Sequence, residues 1–382
     1  MVRNYSVYMP AVPGNIREEW KQCLDQIQKN RMSGNIPLKL NIFVDQPDYS
    51  SYITTKKLIS ESLLNAFGND PPSYSITIHP PEMNWKIGVE ELAIPVGSAE
   101  VRSKFWKSVP YVIVKSGKHK EVWGAGLGND LYQNNTRKAG NAAFDAVLGI
   151  LSQENMTLNN VVRQWNYIGD ILKINDGFQN YQIFNEVRSE YYKKYRTVIG
   201  YPAATGIGMK YGGVFLDFCA VEADETLRIR AVDNPNQVNA YEYGQQVLKG
   251  LSGKRQTPKH PPQFERALLM VNRTFKYLFI SGTASIIGQE TIGKGNVREQ
   301  TLVTIENIHK LTQSEHISEL LGGQDIIPGK YTLLRVYVKN QEHFAEVRKI
   351  CSDHFPHVPS IYIEADICRE DLLTEIEAEY II

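Results

Sequence analysis

Cysteine is scarce in this chain: four among 382 residues, at Cys23, Cys219, Cys351 and Cys368. They are too few for a disulfide scaffold and nowhere adopt the C-x-x-C spacing of a metal or redox site. With an N-terminal Met-Val-Arg-Asn-Tyr-Ser that carries no apolar signal segment, this gives the expectation of a reduced, cytoplasmic protein. Net charge is also missing, because 42 basic residues cancel 42 acidic ones. No overall field draws the protein to nucleic acid or an anionic membrane, so any anion must be held by local placement. Long hydrophobic runs are lacking too. The most apolar stretch, 267 to 288, contains Arg273 and Lys276 and alternates like a strand, which excludes a membrane span. The eight histidines form no H-x-x-x-H pair, so no metal is expected. No G-x-S-x-G elbow occurs, and the glycines at 206, 208, 212 and 213 lack the strand, helix and trailing acid of a dinucleotide site.

What the chain does have is an internal repeat. Residues 140 to 192 and 300 to 352 each read helix, strand, helix, with an arginine inside the strand (Arg163, Arg335). The second helix starts on Phe-x-Glu-Val-Arg in both, at Phe184 and Phe344. Two copies of one unit predict two related domains. Each is preceded by a strand running into Ser-Gly (Ser116-Gly117, Ser281-Gly282) and followed by closing strands. The fold class is therefore α+β: two tandem domains, each a mixed sheet with two helices on one face, burying one shared core. The expected division is residues 1–230 for the first domain, with residues 1 to about 75 as an N-terminal elaboration; 231–265 for a linker rich in Gly, Lys, Gln and Pro; and 266–382 for the second domain.

Several motifs resemble the small imine-deaminase superfamily of RidA/YjgF type: Ser281-Gly282, Gln300-Thr301, Glu306-Asn307-Ile308 and the closing Leu372-Leu-Thr-Glu-Ile-Glu-Ala378. The first copy has Asp217-Phe-Cys-Ala where the second has Glu375-Ile-Glu-Ala. The chain is more specifically similar to the chorismatase family, the two-domain branch that cleaves chorismate. Five segments in family order carry this likeness: Arg163-Gln-Trp-Asn-Tyr-Ile, Asn234-Pro-Asn-Gln-Val-Asn-Ala-Tyr-Glu-Tyr, Phe264-Glu-Arg-Ala, Ser281-Gly-Thr-Ala-Ser-Ile-Ile-Gly and the run from Glu364 to Ala378.

The resemblance assigns Glu375 the role of general acid, protonating the enolpyruvyl methylene of chorismate. A carboxyl group with a raised pKa suits that task. By pattern alone, Glu377 and Glu379 alternate with Glu375 on one face, as exposed strand carboxylates do. A lone cysteine such as Cys368 is usually a small buried hydrophobe. In the family, cysteine here together with glycine in the Ser-Gly-Thr-Ala-Ser turn accompanies 3-hydroxybenzoate formation, and alanine accompanies hydrolysis to a dihydroxycyclohexadiene carboxylate. Cys368 and Gly282 thus point to the aromatic product.

Arg163, Arg266 and Arg335 are candidates for holding the two substrate carboxylates, because arginine presents a planar fork; a surface ion pair is the alternative for each. Tyr241, Tyr243, Ser281 and Thr283 offer further hydrogen bonds to a ligand. The resemblance implies pyruvate and 3-hydroxybenzoate as products, no cofactor, chorismate as the sole small-molecule partner, and a monomer or pseudo-symmetric small oligomer. Alternatives are hydrolysis to the diene, a mixture with 4-hydroxybenzoate, an imine deaminase and a non-catalytic ligand-binding protein. Ala204 and Ser360 stand where deaminases carry the arginine that holds substrate, which counts against that reading.

Overall fold

Strand, helix, strand, helix, strand, strand is the order that runs through the whole chain. The structure, a computed structural model, describes residues 2–175, 177–222, 225–248, 259–272, 275–323 and 325–382. Arg273 and the middle of the expected linker, 249–258, lie outside the described residues. The first unit comprises β1 (Asn4–Tyr8), α1 (Ile16–Met32), β2 (Asn35–Val44), α2 (Tyr49–Phe67), β3 (Ser73–Thr77) and β4 (Ile87–Pro95). Both helices start where the chain offers a cap. The Asn15 side chain accepts from the Glu18 N–H while Glu18 reaches back to Asn15, and Asp48 accepts from Ser51.

The second unit opens with the hairpin strands β5 (Glu100–Trp106), β6 (Val109–Ser116) and β7 (His119–Gly128). It continues through α3 (Thr136–Gln153), β8 (Val161–Gly169), the short β9 (Ile174–Asn175) and β10 (Phe178–Gln179), α4 (Asn180–Tyr195), β11 (Ala203–Met209) and β12 (Val214–Glu222). The third repeats the plan in β13 (Arg228–Val232), β14 (Ala267–Val271), β15 (Lys276–Ala284), the short β16 (Ile286–Ile287) and β17 (Glu290–Thr291), and α5 (Val297–Leu311). It ends with α6 (Ser314–Leu320), β18 (Lys330–Val338), α7 (Phe344–His354), β19 (Ser360–Glu364) and β20 (Thr374–Ile381).

The sheet orders are β3-β2-β4-β1, β11-β8-β12-β7-β6-β5 and β19-β18-β20-β15-β14-β13. In each, the strands flanking the second helix pair in parallel (β2 with β3, β8 with β11, β18 with β19), and the closing strand inserts antiparallel beside them. The two six-stranded units are the two α+β domains expected. The N-terminal elaboration is itself a third unit of the same topology, without the leading hairpin, so the span 1–230 holds two sheets. The third sheet begins at Arg228, earlier than position 266, because β13 pairs with β14.

Each sheet has two buried faces. On β12, Leu216, Phe218 and Ala220 pack under α3 and α4, whereas Phe215, Cys219 and Val221 point to the other side. On β20, Ile376, Ala378 and Tyr380 join the core under α5 and α7, which leaves Glu375, Glu377 and Glu379 on the opposite face. Those opposite faces of the three sheets meet one another, and the three glutamates are only 4%, 3% and 6% exposed. Sharing a face therefore does not put them in water.

Buried ion pairs stitch this central layer in cyclic order. Arg163 on β8 reaches Glu377 on β20 at 2.7 Å. Arg335 on β18 reaches Glu90 on β4 at 2.6 Å, and Lys39 on β2 reaches Asp217 on β12 at 2.9 Å. Each pair sets a base on the parallel-paired strand of one unit against an acid on the closing strand of the next. No helix among the described residues is long and apolar enough to cross a membrane.

Candidate active site

Between the second and third units lies a cavity of about 730 Å³, counting its mouth. The second unit contributes Tyr181, Gln182 and Asn185 from α4 and Ala204 and Gly206 from β11. The third contributes Gly282 from β15, Glu375 from β20 and Cys368 and Arg369 from the loop before it. Tyr243, Phe264 and Arg266, from the segment joining β13 to β14, close the remaining side. A cleft with a few convergent polar groups in apolar walls suits a small molecule.

Glu375 occupies the inner end. The ladder between β15 and β20 shifts register between Ile280 and Thr283, so Gly282 sits in a bulge beside the glutamate. A Cβ placed on Gly282 would come within 2.1 Å of Glu375 Oε1, so the carboxyl group lies directly over the glycine. Burial, with the Glu377 charge adding to it, pushes the Glu375 carboxyl up to about 8, against the opposing pull of Arg163 and Arg266. The acid is therefore protonated at neutral pH. Burial, aided by the neighbouring Glu375, pushes the Cys368 thiol up to about 12, so it meets a ligand as a neutral thiol.

Two arginines that line the cavity lie against one aromatic ring. Arg266 lies 5.5 Å and Arg369 5.2 Å from the centroid of Tyr243. Arg266 donates through Nη2 to the Tyr243 hydroxyl at 2.7 Å and to the Val238 carbonyl, while its buried Nε has no hydrogen-bond partner among the described residues. Arg369 donates to the Gln289 carbonyl at 2.8 Å. Neither has a carboxylate within 4.0 Å among the described residues, so neither is engaged in an ion pair.

The structure brings together Glu375, Cys368, Gly282 and Arg266 and leaves other expected residues outside the cavity. Arg163 and Arg335 face the central layer, where Glu377 and Glu90 occupy their forks. Neither lines the cavity. Tyr241 packs against Tyr201, ring centroids 5.3 Å apart and tilted, and does not line the cavity; of the two tyrosines, Tyr243 is the one in the wall. The Ser281 hydroxyl accepts from the Ala204 N–H and donates to the Glu265 carbonyl, fastening β15 to the second unit. Thr283 donates to the Ser281 carbonyl, pinning the bulge. Arg369 was missed although it adjoins Cys368 in a family-like motif. Tyr181, Gln182 and Asn185 carry no local signal, because only the docking of two units gives them a ligand to face. No group of His, Cys, Asp and Glu able to hold a metal occurs among the described residues.

A family model described as Chorismatase FkbO/Hyg5-like, N-terminal, matches residues 114–220, essentially the second unit. A 3-hydroxybenzoate synthase from Streptomyces hygroscopicus is 32% identical over 249 residues, covering 63% of this chain and 68% of that protein. A chorismatase from Streptomyces rapamycinicus is 34% identical over 228 residues, covering 57% of this chain and 63% of its own length. A chorismatase crystal structure shares the fold across 99% of this chain and 98% of its own, with a TM-score of 0.69 at 20% identity. With the sequence match reaching past two thirds of one such enzyme and the fold shared from end to end, this chain belongs to the chorismatase family.

Proposed function

We propose that this protein cleaves the enolpyruvyl ether of chorismate to pyruvate and 3-hydroxybenzoate. The observation that carries the reading is a carboxyl group, Glu375, protonated near neutrality and aimed over Gly282 into a cavity that two uncommitted arginines share. A dicarboxylate fits this charge pattern: Arg266 and Arg369 each take one carboxylate through charge-assisted hydrogen bonds. Held so, the enol ether presents its methylene carbon to Glu375. Proton transfer there creates an oxocarbenium centre, and the ether bond to the ring breaks as pyruvate leaves.

Gly282 and Cys368 support the aromatic product. Without a Cβ at 282 the ring lies close against the acid, and a neutral thiol at 368 leaves no competing nucleophile. The neighbouring ring hydroxyl closes on the carbon that loses the ether, and its proton replaces the one Glu375 gave. Aromatisation then follows. Chorismate contains the atoms of the two products, so neither oxidant nor net water is consumed and no cofactor is required. Free thiols at Cys23, Cys219 and Cys351, all buried, suit the cytoplasm. Because two units of one chain form the site, a monomer is sufficient.

The test is incubation with chorismate without added cofactor, with products separated by chromatography and pyruvate coupled to lactate dehydrogenase. Equimolar pyruvate and 3-hydroxybenzoate support the reading. Pyruvate with a non-aromatic diene overturns the product assignment, and absence of pyruvate overturns the activity.

A further inference from the structure

Two carboxyl groups lie side by side on one face of β20, and the donors around them are divided unequally. Glu375 and Glu377 are two residues apart on a strand, so their Cα atoms are about 6.6 Å apart. Glu377 receives Arg163 at 2.7 Å, Arg335 at 2.5 Å, the Trp165 indole N–H at 2.9 Å and the Thr205 hydroxyl. No side-chain hydrogen bond to Glu375 occurs among the described residues. Neighbouring buried carboxyl groups do not both ionise readily, and the one supplied with donors takes the charge.

Thr205 connects this pair to the bulge. Its hydroxyl accepts the Gly282 N–H at 3.0 Å and an Arg163 Nη2–H at 2.8 Å, and donates to Glu377. Its methyl group lies 3.0 Å from where a Cβ on Gly282 would stand. One side chain of the second unit therefore fixes the glycine over which the catalytic carboxyl of the third unit lies.

We propose that Glu377 and Thr205 are positioning residues for Glu375: Glu377, ionised among its donors, keeps Glu375 protonated, and Thr205 holds the Gly282 bulge that aims it. This rests on Glu375 being the acid. The groups facing Glu375 are Glu377 on its own strand, Tyr337 beside it on β18, Arg163 on β8, Arg266 before β14, Tyr181 on α4 and Cys368 in the preceding loop. Of these, the two arginines favour the anion, and Glu377 neutralises the nearer influence of Arg163. Glu377→Gln removes a repulsion and uncovers that cation, so both effects drive Glu375 to ionise at lower pH.

The experiment is the pH profile of kcat for wild type, Glu377→Gln, Thr205→Val and Thr205→Ser. Activity of the wild type declines as pH rises through about 8. In Glu377→Gln that limb moves down by at least about one pH unit, with activity at pH near 8 reduced at least about fivefold and recovered in more acidic buffer. Thr205→Val lowers kcat about tenfold with little change in KM, and Thr205→Ser restores it. A limb unmoved in folded Glu377→Gln, or Thr205→Val equal to wild type, overturns the proposal. Infrared spectra supply a readout independent of turnover and of whether Glu377→Gln folds. At neutral pH, Glu375→Gln must remove a protonated-carboxyl band present in wild type; if no such band is lost, Glu375 is ionised beside Glu377 and the inference fails. A wild type that releases no pyruvate yet shows the band refutes the activity and leaves the charge arrangement standing.

Discussion

At the scale of single residues, chemistry follows from which side chains remain uncommitted. Arg163 and Arg335 are spent on Glu377 and Glu90, whereas Arg266 and Arg369 have no acidic partner among the described residues. Replacing either of the latter with methionine is expected to raise the KM for chorismate about tenfold to a hundredfold, the loss of one charge-assisted contact of about 1.5–3 kcal/mol, in steady-state kinetics. Glu375→Gln keeps the shape of the site and removes the proton donor, so pyruvate release should cease while the protein remains folded by circular dichroism. The same substitution should stabilise the protein in alkaline solution. Glu375 titrates at about 8 in the folded chain against an ordinary value of 4.5, so the native state binds more protons between those values and loses stability as pH rises. Glutamine relieves that loss, and Glu375→Gln is expected to unfold at higher temperature than wild type at pH near 9, but not at pH near 4. An identical melting difference at both pH values would show that the carboxyl is not held protonated.

At the scale of elements, the bulge in β15 does the placing. Ser281 bridges the Ala204 N–H and the Glu265 carbonyl, both buried, so Ser281→Ala strands two backbone groups and should cost about 1–3 kcal/mol in chemical denaturation. Gly282→Ala puts a methyl group where the Glu375 carboxyl now rests and should swing that flexible side chain away, lowering kcat more than it raises KM. The helices show how far pattern reading reaches. The internal repeat marked α3, α5 and α7 as helices, and Phe-x-Glu-Val-Arg marked both second helices. It did not give α4 its role, because Tyr181, Gln182 and Asn185 acquire one only against a cavity whose other wall is far along the chain.

At the scale of the whole molecule, three units close on one another through Arg163–Glu377, Arg335–Glu90 and Lys39–Asp217. Lys39 and Asp217 are 2% and 0% exposed, so Lys39→Met strands a buried carboxylate and should destabilise by about 3–5 kcal/mol in urea unfolding. The double change Lys39→Met with Asp217→Leu should recover part of that, since it removes the unpaired charge but takes from the Gly126 N–H and the Ser75 hydroxyl their Asp217 acceptor. If the double variant is no better than the single, the pair contributes attraction rather than mutual neutralisation. The kinship of the first unit to the other two was hidden in the sequence for a physical reason: it lacks the leading hairpin, and its closing strand carries Glu90-Glu-Leu-Ala in place of the Glu-Ile-Glu-Ala signature. Its helices and strands were visible individually, but strand order in a sheet is set by pairing partners distant along the chain.

The amino-acid sequence alone gave the α+β class and the repeat, and its likeness to the family pointed to Glu375, Gly282, Cys368 and Arg266, because repeats and motifs are local properties. Only the tertiary structure decided which arginines face a ligand and which carboxyl keeps its proton. Both depend on how three sheets meet. Alternation along β20 puts Glu375, Glu377 and Glu379 on one face, but whether that face meets water or other sheets, and which glutamate receives the donors, is settled by partners supplied from the other units.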